Sequence, residues 1–212
     1  MSEEKDRYEI LFCGVGGQGI LTITDIICNA ALNKGLRVRG SETHGMAQRG
    51  GSVVSNVRIG EDVYAPLIPE RSSDVIISLE PVEALRYAKY VKPEGYIIFN
   101  IYAIPPPNLN LSHMSSGSYP PLERLLDNLK EFTRNHLNIN ATKLAEEAGA
   151  VITQNIVLLG AFAALENSPL TKEDLIAELK RYIRPKFIEM NLKAFESGYQ
   201  EAMSQLKPKD TE

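Results

Sequence analysis

The sequence predicts an α/β fold: a single doubly wound, Rossmann-like, mostly parallel sheet with a hairpin and a helical C-terminal part. One observation behind this prediction is that short apolar runs alternate along the chain with segments whose apolar residues recur at helical spacing. Another is the apolar run at residues 74–79, because such unbroken runs are typical of parallel strands buried on both faces. A third is a glycine-rich turn between the first strand and the first helix.

The elements are predicted from the period of the apolar residues and from the residues that end each segment. Strands are predicted at residues 8–13, 36–39, 53–59, 74–79, 96–99 and 137–139. Helices are predicted after residue 19, from residue 81 to about residue 91, and at residues 122–132, 141–148, 155–165, 172–182 and 187–203. Val63 and Tyr64 are predicted to pair back on the third strand as a hairpin. Thr171 and Asp174 resemble a helix cap.

The chain is interpreted as one domain over residues 1–212, because 212 residues suffice for a single domain with a substantial core. We expect that core to comprise residues 8–103 and 137–203. Between them lies a Pro-rich excursion at residues 104–121, which contains five prolines and is interpreted as a surface excursion or a partner-binding loop. The charged tails are predicted to fray.

Charge and composition exclude several classes of protein. A net charge of −4 argues against a nucleic-acid-binding protein, which needs a basic face. The most apolar run, at residues 156–165, is too short to span a bilayer, and the charged first residues are not expected to form a signal peptide. We therefore expect no membrane partner and a cytoplasmic location. Cys13 and Cys28 form no C-x-x-C motif, so we expect neither a zinc site nor an iron–sulfur cluster on cysteines of this chain alone.

The first candidate site is the glycine-rich turn, which matches the G-x-G-x-x-G fingerprint between a strand and a helix. We expect Gly14 to permit a tight turn and Gly16 to let a backbone or a phosphate approach. We expect Gly19 to let the helix pack closely on the strand, and Gln18 to cap the helix or to contact a partner or a cofactor. Either the glycines only close the turn, or the free N–H groups at the helix start bind an anion.

A nicotinamide cofactor is not favoured by the second predicted strand. Dinucleotide-binding units place an acidic residue about 20 residues beyond the glycines, at the end of the second strand, where it binds the ribose. Arg39 occupies that place in this chain, and Glu42 comes later. A stand-alone nucleotide-binding module remains an alternative, because the turn by itself matches the fingerprint.

The second candidate site is the segment at residues 41–52, which follows the second predicted strand. It has no clean periodicity and contains Gln48, Arg49, Gly50 and Gly51, and loops of this kind often carry function. The guanidinium of Arg49, beside two glycines, is suited to bidentate contacts with a phosphate or a carboxylate. A surface ion pair of Arg49 is the alternative. Gln48 is expected to orient the same ligand or partner through hydrogen bonds.

Other polar residues are not assigned to catalysis. His44 lies in the second candidate segment, but no acid or nucleophile that would partner it is recognisable in the sequence. Glu42 is a candidate for contact with a partner rather than for proton transfer. Asn155 is expected to be the N-cap of the buried helix. We therefore predict no catalytic residue and no metal site in this chain.

Five motifs, taken in order, resemble those of one family. They are FCGVGGQGI at residues 12–20, ETHGMAQRGG at 42–51, SDVIISLEPVEALR at 73–86, QNIVLLGAFAAL at 154–165 and KAFESGYQEA at 193–202. The chain thereby resembles the gamma-type subunits of the 2-oxoacid:ferredoxin oxidoreductases, and among them the small (beta) subunits of the indolepyruvate branch. The resemblance covers nearly the whole chain, and the glycine-rich turn followed by the Q-R-G-G segment is its specific part. The Pro-rich excursion favours the indolepyruvate branch, because pyruvate-type gamma subunits are shorter.

The resemblance implies an enzyme subunit that binds no cofactor by itself. In this family a larger alpha subunit carries thiamine diphosphate and 4Fe–4S clusters, and the complex passes electrons to ferredoxin. Coenzyme A takes the acyl group, so that an aryl pyruvate is converted into an aryl-acetyl-CoA. This chain lacks the Gly-Asp-Gly and Asn-Asn signature of thiamine diphosphate sites, in agreement with a cofactor that resides on the partner. The isolated chain is expected to be inactive.

The resemblance also implies a role for the two candidate segments, as contacts of a phosphate, of coenzyme A or of the partner's active site. Their candidate residues are Gly14, Gly16, Gly17, Gln18, Gly19, Gln48, Arg49, Gly50 and Gly51. One alternative within the family is the gamma subunit of a pyruvate or branched-chain 2-oxoacid ferredoxin oxidoreductase. A homodimer of the isolated chain is a further alternative.

Overall fold

The computed structural model describes residues 7–43, 51–103 and 119–207, so the predicted tails and most of the Pro-rich excursion lie outside the described residues. The strands are β1 (Arg7–Val15), β2 (Val38–Thr43), β3 (Ser52–Gly60), β4 (Ser73–Ser78), β5 (Val91–Asn100) and β6 (His136–Ile139). The helices are α1 (Ile20–Asn33), α2 (Pro81–Tyr87), α3 (Leu122–Leu129), α4 (Ala141–Ala148), α5 (Gln154–Phe162), α6 (Lys172–Tyr182) and α7 (Ile188–Leu206). Short 3₁₀ helices lie at Ala88–Tyr90, Val151–Thr153 and Pro185–Phe187.

The strands form one sheet in the order β2-β3-β1-β4-β5-β6. The pairs β1–β4, β4–β5 and β5–β6 are parallel, whereas β3 runs antiparallel to both of its neighbours, β1 and β2. The prediction of a mostly parallel α/β sheet is therefore confirmed, whereas the antiparallel hairpin is the pair β2–β3 rather than the predicted one. Since β3 is inserted between β1 and β2, the first two strands of the βαβ unit are not neighbours.

Two details of the predicted strands are wrong. The second strand was expected at residues 36–39, but β2 spans Val38–Thr43, so Arg39 lies near its start and Glu42 near its end. Val63 and Tyr64 form no strand: the side chain of Val63 is buried at 2% exposure, whereas that of Tyr64 is 80% exposed. The polar end of β2 resembled a loop in the sequence because an edge strand does not need to be apolar.

The sheet is buried between two layers of helices. Successive residues of a strand point to opposite faces, and β1 follows this rule. Ile10 and Phe12 pack in the cluster that contains buried residues of α1, α4, α5, α6 and α7. Leu11 and Cys13 pack in the cluster that contains buried residues of α2 and α3. This arrangement leaves the ends of the strands, rather than the faces of the sheet, for contact with ligands or partners.

Helix α5 is the central helix of the larger layer, and all nine of its residues are buried. It crosses α7 at two glycines. A Cβ atom on Gly160 would lie 1.9 Å from the carbonyl oxygen of Phe195, and one on Gly198 would lie 1.8 Å from that of Val157. The two backbones are therefore in direct contact, which no residue larger than glycine permits.

Candidate functional site

The candidate site lies at the edge of the sheet where the parallel strands have their carboxyl ends. At this edge β1 leads into the glycine-rich turn, and Ser52 at the start of β3 pairs with Val15 at the end of β1. Thr43, at the end of β2, pairs with Val54 close to the same edge. In open α/β sheets, ligands bind outside the carboxyl ends of the strands.

Gly14 does not form the turn, contrary to the prediction. It is a residue of β1, opposite Val53, and a Cβ atom there would lie 2.7 Å from Gln18 Oε1 and 3.2 Å from Leu79 Cβ. Gly14 therefore makes room for the side chain of Gln18. The turn itself is formed by Gly17 and Gly19, whose φ angles of 101° and 82° are in the left-handed region that favours glycine.

Gln18 ties the turn to the neighbouring strand. Its Oε1 accepts a hydrogen bond from Val15 N at 2.6 Å, and its Nε2 donates to the carbonyl oxygen of Leu79 at 2.9 Å. The side chain does not cap α1, because Gly19 precedes that helix and no side-chain hydrogen bond caps it. At 8% exposure, Gln18 joins the end of β1 to the end of β4.

A backbone hydrogen bond joins the two candidate segments. Gly16 N donates a hydrogen bond to the carbonyl oxygen of Gly51 at 2.8 Å, so that a backbone approaches Gly16 as its lack of a side chain predicts. Gln48, Arg49, Gly50 and His44 lie outside the described residues. The ligand contacts proposed for both segments stay predictions.

Asn155 has a different role from the predicted one. It is the second residue of α5, and Thr153 rather than Asn155 precedes the helix, so the N-cap prediction is wrong. The Nδ2 atom of Asn155 donates to the carbonyl oxygen of Gly19 at 3.0 Å, across 136 positions of sequence. A Cβ atom on Gly19 would lie 2.5 Å from the same Nδ2. Gly19 thus allows a close approach to α5 rather than to a strand.

Two buried carboxyl groups at this edge were missed by the sequence reasoning. Glu80 and Glu83, at 2% and 6% exposure, are the N-cap and a first-turn residue of α2. Ser52 Oγ donates to Glu83 Oε2, and Arg86 Nε donates to Glu83 Oε1 at 3.0 Å. The only signal in the sequence was the Glu-Pro-x-Glu pattern, in which a proline at the first helical position follows an apolar strand.

The carboxyl group of Glu80 is also bound by Tyr119, whose hydroxyl donates to Glu80 Oε1. Burial raises the pKa of Glu80, although the hydrogen bonds from Tyr119 and from the backbone of Glu83 oppose this shift. Burial, together with the hydrogen bond to Glu80, raises the pKa of Tyr119. Glu80 is buried and the two groups bind each other, so we assign both to structure.

The thiols are not placed for catalysis. Cys13 is fully buried and Cys28 partly so, and no disulfide joins them. Burial raises the pKa of Cys13, and burial also raises that of Cys28, to about 11, so both thiols stay protonated at neutral pH. Among the described residues no group of His, Cys, Asp or Glu side chains is arranged to hold a metal ion.

A depression of about 1020 Å³ lies at the opposite edge, where Arg7, Tyr8, Asp74, Lys92 and Tyr96 are among its lining residues. It is at the amino ends of the strands, away from the glycine-rich turn, and is not part of the candidate site. In the described part of the chain, no helix combines the length and the apolar character needed to cross a bilayer.

Comparison with known proteins identifies the family of the chain. A family described as pyruvate ferredoxin/flavodoxin oxidoreductase matches residues 9–201. This range contains the first four motifs and all but the last residue of the fifth. The chain belongs to this family. The resemblance inferred from the motifs is therefore confirmed.

Members of the family resemble the chain over nearly its whole length. "Indolepyruvate oxidoreductase subunit IorB" of Pyrococcus horikoshii is 44% identical over 200 residues, which are 94% of this chain and 98% of that protein. The solved gamma subunit of a keto/oxoacid ferredoxin oxidoreductase from Geobacter sulfurreducens has a TM-score of 0.67 at 25% identity, and covers 93% of this chain and 99% of that one.

In one solved structure the same fold is part of a longer polypeptide. It is a 2-oxoglutarate:ferredoxin oxidoreductase from Magnetococcus marinus, with a TM-score of 0.74 at 23% identity. The match covers 95% of this chain but only 32% of that one. At this identity the likeness concerns the fold alone.

Proposed function

We propose that the chain is the small subunit of a 2-oxoacid:ferredoxin oxidoreductase that acts on indolepyruvate and other aryl pyruvates. The complex decarboxylates the 2-oxoacid oxidatively, transfers the acyl group to coenzyme A and reduces ferredoxin. The choice of substrate is supported by the relative from P. horikoshii, which is named for indolepyruvate and matches almost end to end. Thiamine diphosphate and 4Fe–4S clusters are carried by a larger alpha subunit, which is the partner of this chain.

The role of this chain is to provide hydrogen-bond donors at the carboxyl edge of the sheet for coenzyme A or for the partner's active site. The observation that carries this proposal is the hydrogen bond from Gly16 N to the carbonyl oxygen of Gly51, which holds the two candidate segments together. The first turn of α1 contains no acidic residue, so no side chain of that turn neutralises the positive end of the helix dipole. Phosphate groups bind well at such a helix start.

The subunit arrangement is tested by producing the chain together with the neighbouring large-subunit gene product and purifying the complex through a tag on the small chain. We expect a complex that contains thiamine diphosphate and iron and that reduces a viologen dye with indolepyruvate and coenzyme A. The chain produced alone is expected to be inactive. An active isolated chain, or a complex that turns over pyruvate but no aryl pyruvate, would contradict the proposal.

The contribution of the second segment is tested with R49A in the same complex. A hydrogen bond to a charged group contributes roughly 1.5–3 kcal/mol, so we expect the KM for coenzyme A to rise by about tenfold or more. R39A is the matched control, because Arg39 is an exposed arginine near the start of β2. If R49A and R39A changed the KM for coenzyme A equally, Arg49 would not be a contact of coenzyme A.

A further inference from the structure

Four basic residues lie in one short segment, residues 180–187, at the end of α6 and in the 3₁₀ helix that follows it. They are Lys180, Arg181, Arg184 and Lys186, and all four are exposed. No acidic residue lies between Glu178 and Glu189 in the sequence. Since the whole chain has a net charge of −4, the segment is a basic patch on an otherwise acidic protein.

Most of these charges have no partner of opposite sign among the described residues. Arg181 Nη1 lies 3.6 Å from Glu178 Oε2. Lys180, Arg184 and Lys186 form no ion pair with any residue that the structure describes. Positive charges that are close together and unpaired repel one another, and contact with an acidic surface removes that repulsion. The patch is therefore suited to a partner of opposite charge.

Exposed apolar side chains accompany the basic residues. Tyr182 and Phe187 lie within the patch, at 42% and 40% exposure, and Ile152, at 76%, lies in the 3₁₀ helix before α5. That helix is next to the patch, because a Cβ atom on Gly149 would lie 3.4 Å from Met190 Sδ, in the first turn of α7. Single exposed apolar residues are ordinary, but a group of them marks an interaction surface, and aromatic residues and arginine are enriched at protein interfaces.

The patch borders the carboxyl edge of the sheet. The hydroxyl of Tyr182 donates to Asp25 Oδ2 at 2.8 Å. Asp25 follows Ile20, the first residue of α1, by little more than one helical turn, so it lies about 7.5 Å from the start of that helix. The 3₁₀ helix before α5 ends at the same edge, since Asn155 donates to the carbonyl oxygen of Gly19 at 3.0 Å. A surface of aromatic, apolar and basic side chains thus lies beside the candidate site.

We propose that an acidic surface of the larger alpha subunit docks on these side chains. We call them the aromatic–basic surface, which comprises Ile152, Arg181, Tyr182, Arg184, Lys186 and Phe187. The inference rests on the proposed function, which makes the alpha subunit the partner and places its active site at the carboxyl edge. Charge complementarity requires that the docked surface be acidic. A nucleic acid is disfavoured as the occupant, because the chain as a whole is acidic and apolar side chains are part of the surface.

Association of the tagged full-length chain with the large subunit, measured at low and at high salt, tests the basic part. We expect R184E/K186E to lower the association rate constant by about tenfold or more at low salt, and this difference to shrink at high salt. K89E/K130E is the matched control, because it makes the same change of net charge at two exposed lysines that follow α2 and α3. An unchanged rate constant in R184E/K186E, or an equal fall in K89E/K130E, would overturn the proposal.

The apolar part is tested with I152S, which leaves the charges unchanged. We expect it to raise the dissociation rate constant of the complex by about tenfold, because the buried apolar area of Ile152 is lost, and dissociation as slow as in wild type would refute this part. Self-association of the wild-type chain that R184E/K186E abolishes would assign the surface to a second copy and overturn the proposal. If the wild-type chain does not bind the large subunit at all, the proposed function fails and this inference with it. If wild type and R184E/K186E bind it equally, only this inference fails.

Discussion

The buried carboxyl group of Glu80 accepts hydrogen bonds from two different parts of the chain. Its Oε2 accepts from Glu83 N at 2.9 Å and so caps α2, while its Oε1 accepts from the hydroxyl of Tyr119. Tyr119 is the first described residue after the gap at residues 104–118. The carboxyl group of Glu80 thus holds Tyr119 at the carboxyl edge, and its protonation is coupled to that contact.

The raised pKa of Glu80 has a definite consequence for stability. The folded-state pKa lies above the unfolded value of 4.5, so the folded chain binds more protons between these two values. Stability from this group is therefore fully present below the unfolded pKa and is lost as the pH rises through the folded pKa. We expect the free energy of unfolding of wild type to fall relative to that of E80Q from about pH 4 to pH 8 in urea titrations.

Asp174 provides a control, because its pKa is shifted in the opposite direction to that of Glu80. The hydrogen bond from Lys34 and the bond from the backbone of Thr171 lower its pKa, so its contribution is present above the unfolded pKa and is lost as the pH falls through the folded one. D174N is expected to be less stable than wild type near neutral pH, and this difference should shrink in acid. If the free energies of unfolding of E80Q and wild type differed by the same amount at every pH, the protonation of Glu80 would not be coupled to stability.

At the scale of elements, the contact between α5 and α7 organises the larger helical layer. Gly160 and Gly198 face the backbone of the other helix, which explains why a helix interior contains residues that ordinarily weaken helices. The capping box of Thr171 and Asp174 begins α6 as predicted, and Lys34 reaches it from the end of α1 at 2.8 Å. Local patterns thus start and end the helices, whereas glycines decide how closely the helices pack.

The crossing of α5 and α7 predicts that a glycine-to-alanine substitution in a helix lowers the stability of the protein instead of raising it. Replacing a helix-interior glycine by alanine ordinarily stabilises a helix by about 1 kcal/mol. We expect G160A and G198A each to lower the free energy of unfolding by about 3 kcal/mol, because the added methyl group overlaps a backbone carbonyl and the helices must separate. Chemical denaturation measures this effect, with S197A as the control on the neighbouring residue of α7. A G198A variant as stable as wild type would mean that the helices are farther apart.

At the scale of the whole molecule, the order of the strands separates this fold from a dinucleotide-binding unit. In the latter the second strand neighbours the first, and its terminal acid reaches the ribose beside the glycine-rich turn. Here β3 lies between β1 and β2, so Glu42 is one strand farther from the turn although it lies near the end of β2. The fingerprint is therefore present without the neighbouring strand that completes the NAD site.

This order predicts the outcome of a ligand screen on the isolated chain. A ligand present at one hundred times its Kd would raise the free energy of unfolding by about 2.7 kcal/mol. We expect no thermal shift with NAD, NADP or FAD at millimolar concentration. A clear shift with NAD would restore the alternative of a stand-alone nucleotide-binding module, whereas a shift with coenzyme A alone would agree with the proposed function.

Much of the site was predictable where the signal is local. The position of the glycine-rich turn between a strand and a helix follows from adjacent residues, and so does the capping box of α6. The partners of Gln18 and Asn155 were not predictable, because Leu79 and Gly19 are 61 and 136 positions away in the sequence. Gly14 was assigned to the turn for another reason: the sequence does not show that the side chain of Gln18, although close along the chain, folds back against Gly14.

The sequence by itself determined the class of fold, the approximate course of most elements and the family, because these depend on short-range periodicity and on motifs that are contiguous in the chain. Only the tertiary structure decided the insertion of β3 between β1 and β2, the hydrogen bond from Gly16 to Gly51 and the hydrogen bond from Asn155 to Gly19. Strand pairing and long-range hydrogen bonds join residues whose distance along the chain carries no periodic signal, so they appear only when the whole core is assembled.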